Sequence, residues 1–342
     1  MKLKPIALAI PMVLAAGSVS AAEIYNQDSN SVELSGWVKA FGHVTDKDVV
    51  EKDDDGYVKH EKAANEKDGF HVKTDAEVEL KATHQVDEAS KVIGSFVIKM
   101  GDSTSDDKKN AQFDDVKFEY DHAAIGNISL GDTGNSFGVL EKAEAGEGDN
   151  VYLIKQGGVE GQGIRYKKSV GNFNFSANYE TDSAEDYDSN YALSAEYAVE
   201  DSFSAAVAYS ADGDNASSIG LAGDIHFGEL RLGAAFISFE DGKSIEINDG
   251  VEHKIENLSN DGQSYSLVAE YDIDKVTVYG SYQMVTGEAD NADVDAQLVY
   301  IGADYNFTDS VKAYLVAQTG TLEVGTVEQE STGFKFGAKY SF

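Results

Sequence analysis

The chain has no cysteine, two arginines, and two prolines that both fall at its amino-terminal end, Pro5 and Pro11. Without cysteine there is no disulfide framework, no thiolate zinc site and no cysteine nucleophile. The arginines are Arg165 and Arg231, and 27 basic residues stand against 61 acidic ones, for a net charge of -34. So acidic a chain repels phosphate, which excludes nucleic acid as a partner through a basic surface. Proline removes a ladder donor, so its absence after Pro11 suits a chain that is nearly all paired strand. After the first residues there is no apolar run long enough for a helical membrane span. A length of 342 residues would suit about two soluble domains, but β-barrels run longer as one unit.

Met1-Lys2-Leu3-Lys4 is a short basic start, and Pro5 to Ala16 is an apolar stretch of signal-peptide length. Val19-Ser20-Ala21 then fits the small-residue pattern that signal peptidase reads. The stretch is too short for a membrane anchor and no stop-transfer pattern follows it. This predicts a signal peptide over 1–21, export through the periplasm, and a mature chain over 22–342. Loss of Lys2 and Lys4 with no acid would move the charge from -34 to -36.

From Ser31 onward the hydrophobic period is two. Phe173, Phe175, Ala177 and Tyr179 share one face, while Asn172, Asn174, Ser176 and Asn178 share the other. Tyr265, Leu267, Ala269, Tyr271 and Ile273 repeat the pattern, as do Phe334, Phe336, Ala338, Tyr340 and Phe342. Sixteen such segments are expected, at 32–43, 69–84, 90–100, 112–121, 124–131, 162–168, 172–181, 189–199, 202–211, 217–226, 229–239, 264–273, 275–285, 294–305, 309–320 and 331–342. Long and short connectors alternate between them, as in an antiparallel meander with one loop-rich end and one turn-rich end. Strands of about ten residues, tilted, cross a bilayer. The apolar faces end in Tyr120, Tyr166, Tyr179, Tyr197, Tyr209 and Tyr271, as interfacial aromatic girdles do. The opposite faces are polar and rich in small residues, and read as a wetted interior rather than a dry core. The fold class is all-β: a transmembrane antiparallel up-and-down barrel of sixteen strands.

The stretch Ala22-Glu23-Ile24-Tyr25-Asn26-Gln27-Asp28-Ser29-Asn30, followed by Val32-Glu33-Leu34-Ser35-Gly36, resembles the opening of Gram-negative general porins. Phe336-Gly337-Ala338-Lys339-Tyr340-Ser341-Phe342 resembles their terminal strand. The resemblance implies a homotrimer in the outer membrane of a Gram-negative bacterium, among lipid and lipopolysaccharide. It implies passive diffusion of ions and small hydrophilic solutes, with no cofactor, no metal and no enzymatic turnover. It makes Tyr340 and Phe342 the signal read by the barrel assembly machinery. It also implies that the third long loop, 132–161, folds into the pore and narrows it, with acids facing a basic wall. The acids of that loop are Asp132, Glu141, Glu144, Glu147 and Asp149. Its stretch Ala143-Glu144-Ala145-Gly146-Glu147-Gly148 lacks the proline and phenylalanine of the family's turn.

The wall departs further. Trp37 and Glu77 stand where the family has a basic wall residue. Strand parity turns Lys39, Lys81, Lys335 and Lys339 inward, along with Glu79, and makes Arg165 and Arg231 further candidates. Carboxylates lining a pore favour cations, so the expected channel prefers cations, less so as salt rises. Asp53-Asp54-Asp55 reads first as solvated loop charge; the other reading is a divalent-cation bridge to lipopolysaccharide. A channel selective for an oligosaccharide or another nutrient, and an adhesin or phage-receptor role of the long loops, stay open as alternatives. Seven scattered histidines with no serine nucleophile motif argue against a barrel phospholipase.

Overall fold

A computed structural model describes residues 22–52, 58–60, 69–100, 111–148, 162–181, 189–200, 202–212, 216–248, 252–289 and 292–342. The expected signal peptide, Asp53-Asp54-Asp55 and Asp149 lie outside the described residues. The strands are β1 Ala22–Gln27, β2 Asn30–Lys52, β3 Val58–His60, β4 Gly69–Gln85, β5 Ser90–Met100, β6 Gln112–His122, β7 Gly126–Gly131, β8 Gln162–Val170 and β9 Phe173–Thr181. They continue as β10 Asn190–Val199, β11 Phe203–Asp212, β12 Ser217–Phe227, β13 Leu230–Asn248, β14 Glu252–Ile273, β15 Val276–Ala289, β16 Ala292–Thr308, β17 Val311–Val324 and β18 Val327–Ser341.

Each strand from β4 to β18 pairs antiparallel with the next, and β2 closes the ring by pairing with both β4 and β18. The result is a closed antiparallel barrel of sixteen strands, which leaves no free sheet edge. β1 and β3 are additions to it. β1 pairs with residues 30–34 of β2 on the edge that β18 occupies higher up. Where the two meet, Phe342 and Gly36 exchange backbone hydrogen bonds of 2.9 Å each. β3 pairs with residues 50–52 of β2.

The sixteen expected segments coincide with β2 and β4–β18, but several run longer than expected. The connector expected over 239–264 is a paired ribbon through most of its length, with Ile245 opposite Ile255 and Asn248 opposite Glu252. β2 likewise runs on to Lys52, and β15 to β18 extend past their expected ends. The physical reason is that side-chain alternation reports lipid contact, whereas ladder hydrogen bonds need only a partner backbone. The alternation stops at the membrane boundary and the pairing does not.

The outer face carries the apolar residues read from the period-two pattern. Phe173, Phe175, Tyr179, Leu267, Tyr271, Phe334 and Phe336 are all exposed there. In a bilayer such a band contacts acyl chains instead of water. The inner face departs from the expectation of a wetted wall all round. Ile237, Phe239, Val285, Val294, Leu298, Tyr300 and Val316 point inward from β13 to β17, and they belong to one buried cluster. That arc has apolar residues on both faces, mixed on β14 and β15 with buried Ser264, Ser266, Ser281 and Gln283, so alternation alone could not show it to be covered.

Candidate functional site

The cluster is completed by the third long loop. After β7 the chain enters a 3-10 segment, Ser136–Ala143, opened by Asn135, whose side chain accepts from Phe137 N at 2.8 Å. Phe137 and Leu140 of this segment are fully buried among the inward residues of the wall. The segment packs on β9 to β14. Gly220 on β12 makes room for it, since a Cβ there would lie 2.3 Å from Leu140 Cδ1. Burying two large apolar side chains supplies about 3–6 kcal/mol toward holding the loop inside the barrel.

Beyond Ala143 the loop runs along the wall as Glu144-Ala145-Gly146-Glu147-Gly148. Tyr300 Oη meets Ala145 at both its N (3.3 Å) and its O (3.1 Å), and Tyr279 Oη accepts from Glu147 N at 3.2 Å. A Cβ at Gly146 would sit 2.0 Å from the Tyr279 ring, and one at Gly148 2.5 Å from the Tyr300 ring. The loop lies flat on these two tyrosines because it has no side chains there. Gly146 also has φ +59, a conformation that costs other residues.

Both arginines of the chain hold this loop by its carbonyls. Arg231, on β13, donates to Lys142 O at 2.7 Å and Glu144 O at 3.1 Å, and pairs with Glu270. Arg165, on β8, donates to Thr133 O at 3.1 Å and to Ser176 Oγ at 2.9 Å. Lys142 pairs with Glu196 on β10. These partners escaped sequence reasoning, which placed the arginines on a wall facing solutes.

Glu147 is the meeting point of the loop and the far wall. Its carboxylate lies 3.3 Å from Lys39 Nζ on β2 and 3.1 Å from Lys312 Nζ on β17. Lys335 on β18 donates to the Glu147 carbonyl at 3.2 Å. Burial works to raise this carboxyl, but Lys39, Lys312 and Lys339 outweigh it and hold it below its ordinary value. Lys39 also reaches Asp75 at 3.9 Å, and Lys312 reaches Asp304 at 3.0 Å. Trp37 lies between two ammonium groups, with Lys39 Nζ 5.5 Å and Lys339 Nζ 4.7 Å from its ring. Lys312 was not among the residues singled out in the sequence.

The adjoining wall, from β4 to β6, carries acids. Glu77 and Glu79 on β4 pair in register with Trp37 and Ser35, so they share the inward face. Ser35 Oγ donates to Glu79 at 3.5 Å, and Glu77 has no hydrogen bond or ion pair among the described residues. Lys81 pairs with Glu33 at 3.5 Å on the half-exposed lower wall. A bulge at Asp115, with φ 48, breaks the register of β6. It brings Asp114, Asp115 and Asp132 together, with one carboxylate oxygen from each within 4.8 Å of the others. Lys99 pairs with Asp114. Burial first, then Asp115 and Asp114, push the Asp132 carboxyl above its ordinary value. Glu141 is exposed on the loop and Glu144 half-buried. Tyr340 and Phe342 stack loosely at the end of β18, with ring centroids 5.9 Å apart.

A family model described as Gram-negative porin matches residues 7–324. Two outer-membrane proteins share a short stretch. Outer membrane protein Omp-EA of Erwinia amylovora is 50% identical over 48 residues, 14% of this chain and 12% of that one. Outer membrane porin protein OmpD of Citrobacter koseri is 50% identical over 46 residues, 14% of this chain and 13% of that one. The matched stretches thus span only about an eighth of those relatives. Among solved structures, the loop L8 deletion mutant of OmpT, from Vibrio cholerae, is similar with a TM-score of 0.68 and 15% identity, over 92% of this chain and 100% of that one. OmpF of Salmonella typhi, in complex with daunomycin, gives a TM-score of 0.67 and 18% identity, over 94% and 100%. At these identities the likeness is one of fold.

Proposed function

The chain belongs to the Gram-negative porin family, whose members are outer-membrane proteins, and from that premise we propose that it forms a water-filled channel for passive diffusion of ions and small hydrophilic solutes, with a preference for cations. The observation that carries the preference is the unequal use of charge around loop three. Most of the basic groups there are tied: Lys39 and Lys312 to Glu147, Lys335 to its carbonyl, Arg165 and Arg231 to other loop carbonyls, while Lys339 lies against the face of Trp37. Glu77 has no ion pair among the described residues, and Glu79 has only a serine hydroxyl. Water in a narrow pore is flanked by low-dielectric protein and lipid, so unpaired charge there acts strongly on passing ions. Loop three, over 132–161, is the constriction in this reading, with the 3-10 segment as its anchor.

The family also favours a homotrimer and an assembly signal in Tyr340 and Phe342; both belong to this proposal, as does cleavage after Ala21. The test is the zero-current potential of the purified protein in a planar bilayer under a potassium chloride gradient. A sign reporting potassium preference, shrinking as salt rises, is the expected outcome. Chloride preference would refute the charge argument, and absence of conductance would refute the channel.

A further inference from the structure

Beneath the root of loop three, toward the short-turn end of the barrel, is a cavity of about 360 Å³ between the loop and the wall of β8 to β10. Gly138 and Val139 of the loop form its roof. Its volume falls in the lower part of the range for small-molecule sites, roughly 300–1,000 Å³. Its charge runs against the rest of the molecule. In a chain with 61 acids and 27 bases, the inward-facing lining here has two bases, Arg165 and Lys167, and one acid, Glu196.

That acid is already neutralised. Glu196 pairs with Lys142 and accepts from Asn174 Nδ2 at 3.0 Å. Glu119, two strands away on β6, accepts from Asn127 Nδ2 at 2.8 Å. Arg165 has committed donors to Thr133 and Ser176. Lys168, the next residue along, is half-buried and donates to Ala123 O at 3.1 Å and Ala124 O at 2.8 Å. Lys167 is different. It is exposed and makes no hydrogen bond or ion pair among the described residues. The hydroxyl of Ser194 lines the same cavity, as do Ser176, whose hydroxyl bonds Ser136 at 2.7 Å, and Asn174, whose Oδ1 accepts from Ser169 at 2.6 Å.

We propose that this cavity is a binding site for a small hydroxylated oxyanion, a sugar acid or a sugar phosphate. The Lys167 ammonium takes the anionic group, and the Ser194 hydroxyl and the second N–H of the Asn174 amide meet the hydroxyls of the solute. A neutral sugar has no group for Lys167, and an inorganic cation is repelled by Lys167 and Arg165 together. The site goes beyond cation preference, because it gives one class of anion a stopping place in an otherwise acidic channel. It rests on a water-filled interior.

The test is saturation-transfer NMR on the full chain in detergent micelles, with gluconate, glucose 6-phosphate and glucose as probes, for the wild type and Lys167→Gln. Lys167 is exposed and has no partner among the described residues, so the substitution is expected to leave the fold intact, and bilayer conductance of the same preparation checks this. The expected result is transfer to one or both anions and little to glucose, with binding weakened about threefold in Lys167→Gln, the scale of one exposed ion pair. A signal from gluconate identifies a carboxylate ligand, and one from glucose 6-phosphate a phosphate ligand; either upholds the site. Equal transfer to glucose, no transfer to either anion, or unchanged binding in Lys167→Gln would overturn it. A preparation that conducts while failing these criteria loses this site only, whereas one that does not conduct refutes the channel itself.

Discussion

Glu147→Gln isolates the charge at the tip of loop three, because it changes one unit of charge and almost no volume. The carboxylate contacts Lys39 at 3.3 Å and Lys312 at 3.1 Å. Each contact is worth about 5 kcal/mol of gross Coulomb energy at an effective dielectric near 20. Desolvation offsets most of that. Both lysines also keep a second acid, Asp75 at 3.9 Å and Asp304 at 3.0 Å. The net tether is therefore about 1.5–3 kcal/mol, the worth of a hydrogen bond to a charged group. Lys335 is unaffected, since its acceptor is the Glu147 carbonyl. Selectivity follows from the longer-range field. A unit charge about 5 Å from an ion in water is worth about 0.8 kcal/mol. Screening at physiological ionic strength leaves about half. The sign is opposite for potassium and chloride, so the permeability ratio shifts about fourfold toward chloride. The zero-current potential in a planar bilayer reads this directly. An unchanged potential would refute the placement of Glu147 beside the ion path, and a shift toward potassium would refute the sign.

The other predictions use different parts of the same frame. Lowering pH repeats the Glu147→Gln effect reversibly: the folded carboxyl lies below its ordinary value of 4.5, so its ion pairs are intact above that pH and are lost as pH falls through the lower folded value. A change in selectivity that sets in as pH falls below about 4.5 and is smaller in Glu147→Gln is expected, separate from the earlier protonation of Asp132, whose carboxyl lies above its ordinary value. Arg231→Met strands Glu270 and two loop carbonyls, and is expected to cost about 3 kcal/mol, seen as a lower melting temperature in detergent. Gly220→Val drives a methyl into Leu140 and should cost about 1–3 kcal/mol with altered conductance; an unchanged melting temperature would show that the loop does not pack there. Mass spectrometry of protein extracted from outer membranes should give a chain beginning at Ala22.

The barrel was legible because lipid on one side and a different environment on the other impose strict alternation. Sixteen segments, their antiparallel order and the inward parity of Trp37, Lys39 and Lys339 all follow from that one constraint. The constraint also explains what stayed hidden. On β17, Leu315 faces outward, and the opposite face holds Lys312 with Tyr314 and Val316, so both faces are apolar and parity alone assigns no interior. Lys312, the closest base to Glu147, was lost there. Tyr279 and Tyr300 were lost for the same reason. The glycines of loop three were visible as small residues, but the rings they lie against come from strands more than a hundred residues later. The arginines were placed on the correct strands, yet their partners are backbone carbonyls, which have no sequence signature at all.

Scarcity of arginine then links the shape of the interior to its charge. A guanidinium can hold two carbonyls at once in a fixed fork, which an ammonium cannot do as rigidly. Arg231 is used this way on Lys142 and Glu144, and Arg165 spans Thr133 and Ser176. With both forks occupied in fixing the loop, the facing wall has only lysines to oppose its acids. Those lysines reach only what lies beside them: Lys81 takes Glu33 and Lys39 takes Glu147 and Asp75. Glu77 stands between Trp37 and Lys99 in the ladder, but Lys99 pairs with Asp114, and Glu77 has no ion pair among the described residues. On the proposed cation preference, the sign of the field across the opening is set less by the total charge of -34 than by where two arginines are spent. Trp37→Arg tests this step. It places a third guanidinium beside Glu77, and the potassium preference should fall by about the same fourfold as in Glu147→Gln, because each change adds one positive unit at similar depth. A preference that tracked net charge alone would barely move, since one unit in so acidic a chain is a small fraction of the whole.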